Sequence, residues 1–109
     1  MSALIYCPFP DTGTADAIGR QLLGEGLIGC INIGSSISSL FIWDGEAGSA
    51  EEVPALLKTD ERLLARAIAR LEDLHPYDSP AILGWPCQAG AATRDWLGGL
   101  AEGGTNVGQ

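Results

Sequence analysis

The sequence predicts an α+β fold of the ferredoxin-like type: a split βαβ with an antiparallel sheet and two helices on one face. Three observations carry this. The elements read in the order strand, helix, strand, strand, helix, strand. The stretch Leu27 to Trp43 alternates with period two, placing Ile31, Ile33, Ile37, Phe41 and Trp43 on one face and Cys30, Asn32, Leu40 and Ile42 on the other. That stretch is also too long for the domain body. At about 3.3 Å per residue it would span roughly 50 Å, while a domain of about 100 residues has a radius of gyration near 13 Å. It must bend, and Gly34-Ser35 is the natural place, or its far end must project as a long hairpin. A projecting Leu40-Phe41-Ile42-Trp43 would need a partner, so an oligomer is expected.

The elements follow in order. Ala3 to Phe9 reads as a first strand, closed by Pro8 and Pro10. Asp11, Thr12 and Thr14 are candidate N-caps of a helix whose apolar positions are Ile18, Leu22 and Leu23, stopped by Gly24 and Gly26. The long second strand follows. Asp44-Gly45 is a hairpin turn signal, Gly48 and Ser49 suggest a loop, and Val53 to Thr59 returns as a third strand. Pro54 demotes the start of that strand to an edge or bulge. Asp60 caps a second helix with Leu64, Ala67 or Ile68, and Leu71 on its buried stripe, ended by Pro76. Ala81 to Trp85 is a fourth strand with Ile82 and Leu83 as its core. Thr93 to Leu100 is a short last helix around Trp96. One domain is expected over 1–102, with Gly103 to Gln109 a disordered tail.

Composition narrows the function. The chain has 109 residues, 46% hydrophobic and 18% charged, as a globular domain does. A net charge of −8 argues against nucleic acid as partner. Arg62, Arg66 and Arg70 share one helix stripe and read as a solvated face. No apolar run approaches the roughly 20 residues of a membrane span. The N-terminus enters a strand without a charged region or cleavage site. Three cysteines without a tight pair fit reduced thiols. The expectation is a cytoplasmic protein with no membrane partner.

At this point the chain resembles a known family. Tyr6-Cys7-Pro8 leading to Asp11, Cys30-Ile31-Asn32, Trp43-Asp44-Gly45, Lys58-Thr59 and His75-Pro76-Tyr77-Asp78-Ser79-Pro80 occur in that order. Together they resemble the CutA family of divalent-cation-tolerance proteins, from about Ala3 to Leu100. The resemblance implies a homotrimer whose long hairpins pack between subunits, a fold-level relation to the trimeric PII signalling proteins, and a link to copper and other divalent metals. The chain departs from the family's pattern in its Gly45-Glu46-Ala47-Gly48-Ser49 tip, in Pro54 and in Cys87.

Candidate chemistry divides into two sites. Cys7, Cys30 and His75 match the thiols and imidazole proposed for copper in the family, and thiolate with imidazole suits Cu(I). The plainer reading makes Cys7 and Cys30 small buried hydrophobes and His75 a helix-end residue satisfying the last carbonyls. The second site gathers Trp43, Glu52, Lys58, Tyr77 and Asp78 in a cleft between subunits, where aromatics and a few polar groups describe a small-ligand pocket. For Trp43 the favoured reading is an interface anchor, and Lys58 needs a partner such as Glu52 or Asp78. Asp44, Glu46, Glu51 and Glu52 can hold hard divalent ions weakly or simply solvate an edge. For catalysis, no nucleophile elbow, Walker loop or dinucleotide fingerprint is present; only Cys30 and His75 offer a nucleophile and base. Two functions follow: a trimeric copper-binding tolerance protein with no organic cofactor, or a regulatory trimer of the PII kind that binds a small ligand or a protein partner.

Overall fold

A computed structural model describes residues 1–103 of the chain. Strand β1 (Ser2–Phe9) leads to helix α1 (Thr12–Gly24), then β2 (Cys30–Ile33), β3 (Ile37–Trp43) and β4 (Glu46–Asp60). A single 3-10 turn, Glu61–Leu63, opens α2 (Leu64–Leu74), and β5 (Leu83–Cys87) and α3 (Ala91–Ala101) complete the chain. All pairings are antiparallel, in the order β2-β4-β1-β5, with β3 beside the outer part of β4. The molecule extends 46 Å along its long axis against 25 and 23 Å across it.

The helix boundaries follow local chemistry. Asp11 accepts the Thr14 N–H at 2.7 Å and starts α1; Gly26, at φ 71°, lies just past its end. Asp60 accepts the Arg62 N–H at 2.8 Å and opens the turn before α2. His75 takes extended angles (φ −69°, ψ 138°) because Pro76 behind it excludes the helical region.

The sheet separates two faces by simple alternation. Ala3, Ile5, Cys7 and Phe9 on β1 lie opposite Thr59, Leu57, Ala55 and Val53 on β4. These side chains meet α1 and α2 in one core with Ala15, Ile18, Leu22, Ala67 and Leu71. Burying a Phe9 or Leu57 side chain contributes about 1.5–3 kcal/mol each. The second face carries Leu4, Tyr6, Cys30, Asn32, Leu56, Lys58, Leu83 and Trp85; α3 covers one end of it and the loop after α2 borders the other.

Several expectations change. The stretch Leu27 to Trp43 is not one strand: it breaks after Ile33, at the Gly34-Ser35 bend, into β2 and β3. Gly48 and Ser49 form no loop but lie within β4, which runs from Glu46 and not from Val53. The hairpin turn is Asp44-Gly45, both at positive φ (53° and 80°), as a two-residue primed turn requires. Pro54 takes the bulge position expected of it: Ile33 lies opposite Ala55 and Ile37 opposite Glu52, so residues 34–36 face only 53 and 54, and the missing N–H falls where that ladder is already broken. Its carbonyl accepts the Gly34 N–H at 2.8 Å. The last strand is Leu83–Cys87, not Ala81 to Trp85; Leu83 is exposed, while Ile82 packs on the core. In α3 the buried residue is Leu97, not Trp96. Of the expected tail, Gly103 donates to Leu100 O at 3.3 Å, and 104–109 lie outside the described residues.

Candidate ligand groove at the hairpin base

Where β4 leaves the sheet, the hairpin and the loop after α2 enclose a groove of 690 Å³. β3 contributes Phe41 and Trp43, β4 contributes Glu52, β1 contributes Tyr6, and the loop contributes Tyr77 and Asp78. Four of the five residues expected in the cleft therefore meet, and they do so within one chain. The fifth, Lys58, does not. It lies six residues further along β4, opposite Leu4 and Cys30, and lines a different cavity. Neither Glu52 nor Asp78 is its partner, and among the described residues it forms no ion pair.

The loop is held by His75, which is 6% exposed. Its Nε2 lies 2.9 Å from the Pro8 carbonyl, and its Nδ1 lies 3.2 Å from the Tyr77 backbone nitrogen. A carbonyl can only accept and an amide N–H can only donate. Nε2 therefore carries the proton and Nδ1 receives one, which fixes the neutral tautomer and uses both ring nitrogens. The ring stacks on Phe9, centroids 5.0 Å apart, and tilts against Tyr77 at 4.7 Å. This partner is a strand carbonyl and not the carbonyls of its own helix end. The Tyr77 hydroxyl donates to Glu52 Oε2 at 3.0 Å. Burial first, and the Glu52 carboxylate second, push the Tyr77 phenol up to about 12. The groove thus offers a phenol that keeps its proton, a carboxylate that accepts it, and aromatic walls.

The three residues expected to hold copper do not converge within one chain. Cys7 lies opposite Ala55 on the core face, while Cys30 lies opposite Lys58 on the other face of the sheet. Cys7 is fully buried, and its thiol sits 3.5 Å from the Pro8 carbonyl. Burial, then Glu52, push that thiol up to about 12, whereas only a thiolate ligates or attacks. His75 has no free lone pair. Cys30 is half-buried, with Sγ 3.9 Å from Asn32 Oδ1. The same separation of faces removes Cys30 and His75 as nucleophile and base. Among the described residues, no three His, Cys, Asp or Glu side chains cluster as metal ligands, the acidic residues near the hairpin tip included. The arginine stripe is partly paired: Arg62 with Asp60 at 2.9 Å and Arg70 with Glu25 at 2.9 Å.

Tyr6, Pro8 and Phe41 also line the groove, beyond the residues expected there. The available signal was i, i+2 spacing: Phe41 shares a strand face with Trp43, and Tyr6 shares one with Pro8.

Sheet, groove and projecting hairpin define a small α/β domain with an antiparallel sheet and an apolar arm. The family model for the CutA1 divalent ion tolerance protein matches residues 3–98, and the chain belongs to that family. The divalent-cation tolerance protein CutA of Pyrococcus horikoshii is 39% identical over 80 residues, 73% of this chain and 78% of that protein. A CutA homolog of Danio rerio is 32% identical over 99 residues, 91% of this chain; the chain spans 63% of its length. The solved structure of the Archaeoglobus fulgidus protein, titled a periplasmic divalent cation tolerance protein CutA, superposes with a TM-score of 0.84 at 30% identity, covering 92% of this chain and 98% of that one.

Proposed function

We propose that this chain acts in divalent-cation tolerance as a cytoplasmic homotrimer, a binding protein and not an enzyme, with the hairpin-base groove as its ligand site. The observation that carries this is the apolar arm. Leu40, Ile42 and Trp43 are 82%, 71% and 64% exposed, on a hairpin whose outer strand pairs on one side only. Such a surface marks an interface. The order β2-β4-β1-β5, with α1 and α2 on one face, supports the ferredoxin-like reading and a fold-level kinship with PII-type trimers. The convergence of Trp43, Glu52, Tyr77 and Asp78 supports a small ligand in the groove.

Copper is a second reading, and the half-buried Cys30 favours it. Cys30 alone of the three expected ligands presents its sulfur on the sheet face that other subunits can reach. Native mass spectrometry of the reduced protein, with and without Cu(I), tests both readings. The expected result is a trimer whose whole-number copper uptake disappears in Cys30→Ser and persists in Cys7→Ser. A monomer at every concentration would overturn the trimer. Copper retained by Cys30→Ser would overturn the Cys30 site, and a metal-free trimer would leave the groove as the ligand site.

A further inference from the structure

On the second face of the sheet, far along β4 from the groove, α3 closes over a cavity of 270 Å³. We infer that this cavity binds a small oxyanion, a phosphate or carboxylate group, held by Lys58, Ser2 and the open N-terminus of α3. Four features converge there. Lys58 is half-buried and without an ion pair among the described residues, in a protein of net charge −8. No Asp or Glu lines the cavity to offer its ammonium a counter-charge. Ser2 is 3% exposed and its Oγ has no hydrogen-bond partner. Alternation along β1 turns that side chain to the face bearing Leu4, Lys58 and Cys87, at the cavity floor. A buried hydroxyl without a partner is uncommon enough to require an explanation, and a bound oxyanion would supply its acceptor.

The third feature is α3 itself. Its N-cap is Gly90, which has no side chain to satisfy the first-turn N–H groups, and no acidic residue stands in that turn. Gly90 and Thr93 line the cavity, so the positive end of an eleven-residue helix faces the space beside Lys58. The fourth feature is Trp96, half-exposed on the same wall, an apolar surface for whatever carries the anion. Cation, hydroxyl, helix end and aromatic wall are the parts of an oxyanion site. None belongs to the hairpin groove, so this site stands or falls apart from it.

The test is titration of the full-length protein with inorganic phosphate and, separately, with acetate, at constant ionic strength against sodium chloride. The readout is the backbone amide shifts of Lys58 and of residues 90–93. Saturable shifts at these amides are expected, with Lys58→Met weakening the apparent affinity by about tenfold or more, the usual scale for a hydrogen bond to a charged group. Ser2→Ala should weaken it by roughly threefold, and this milder variant carries the test if Lys58→Met does not fold. Saturation by phosphate alone assigns a phosphate-bearing ligand; saturation by acetate alone assigns a carboxylate; both together support a general oxyanion site. Shifts no larger than those from chloride, or affinity unchanged in the folded variants, overturn the inference.

Discussion

Strand β4 passes through two environments. Its inner half, Val53 to Asp60, pairs with β1 throughout and with β2 over Ala55–Lys58, and Val53, Ala55, Leu57 and Thr59 are buried on the core face. Its outer half, Glu46 to Glu52, pairs only with β3 and buries no side chain. Hydrogen bonding is continuous along the strand; burial is not. A two-stranded ribbon is marginal in water when nothing covers it. The inner half therefore stands on the chain's own core, while the outer half has no such core of its own and is the part the proposed trimer would cover.

The sharpest way to break this comparison is to damage the inner half. Leu57→Ala empties a fully buried site beneath both helices and should cost about 2–5 kcal/mol. That is a large part of a typical total of about 5–15 kcal/mol. It should appear as a lower denaturant midpoint at unchanged slope. A loss under about 1 kcal/mol, the range of surface substitutions and mild mutants, would show that Leu57 does not anchor the core.

The outer half should respond in the opposite way. Trp43→Asp places a charge on the exposed arm beside the groove. Monomers or insoluble protein are expected by size-exclusion chromatography with light scattering, because a carboxylate cannot be buried unpaired in an interface. The stability of a soluble monomer's core should change by less than about 1 kcal/mol. A soluble, unaltered trimer would remove the arm from the assembly.

How much of this was legible in the sequence depends on whether a residue's role is local. The turn at Asp44-Gly45, the cap at Asp11 and the stop at Pro76 each follow from one residue's own geometry. Gly48 misled because its role is tertiary. A Cβ there would lie 2.6 Å from Phe41 Cε1, so the glycine lets an aromatic ring cross the hairpin and marks no loop. Pro54, by contrast, was legible: its missing N–H falls where the pairing of β4 passes from β2 to β3 and is already interrupted. The groove was largely legible, because Trp43, Glu52, Tyr77 and Asp78 are spaced by the fold's own order. Lys58 was not: residues 52 and 58 share a strand, and separation along that strand takes one of them to another cavity. Cys7 and Cys30 look alike in composition, and only register shows that a sheet lies between them.

The finest test uses acidity to mark the inner half alone. Cys7, opposite Ala55, has its thiol raised from the ordinary 9.0 to about 12 by burial and then by Glu52. The native protein keeps this proton where the unfolded chain has released it. The resulting stability is fully present below pH 9.0 and is lost as pH climbs toward about 12. Tyr77, raised from 10.0 to about 12, acts with the same sign over the upper part of that window. Denaturation midpoints should therefore fall with rising pH in the parent chain, and less steeply in Cys7→Ala, the two curves separating from about pH 9 upward. In a soluble Trp43→Asp background, Cys7→Ala should still flatten the curve by the same amount, because Cys7 faces the core and not the arm. Parallel curves for parent and Cys7→Ala would mean that the thiol is as free to ionise in the fold as outside it, and the inner half would not be the sealed environment that its burial describes.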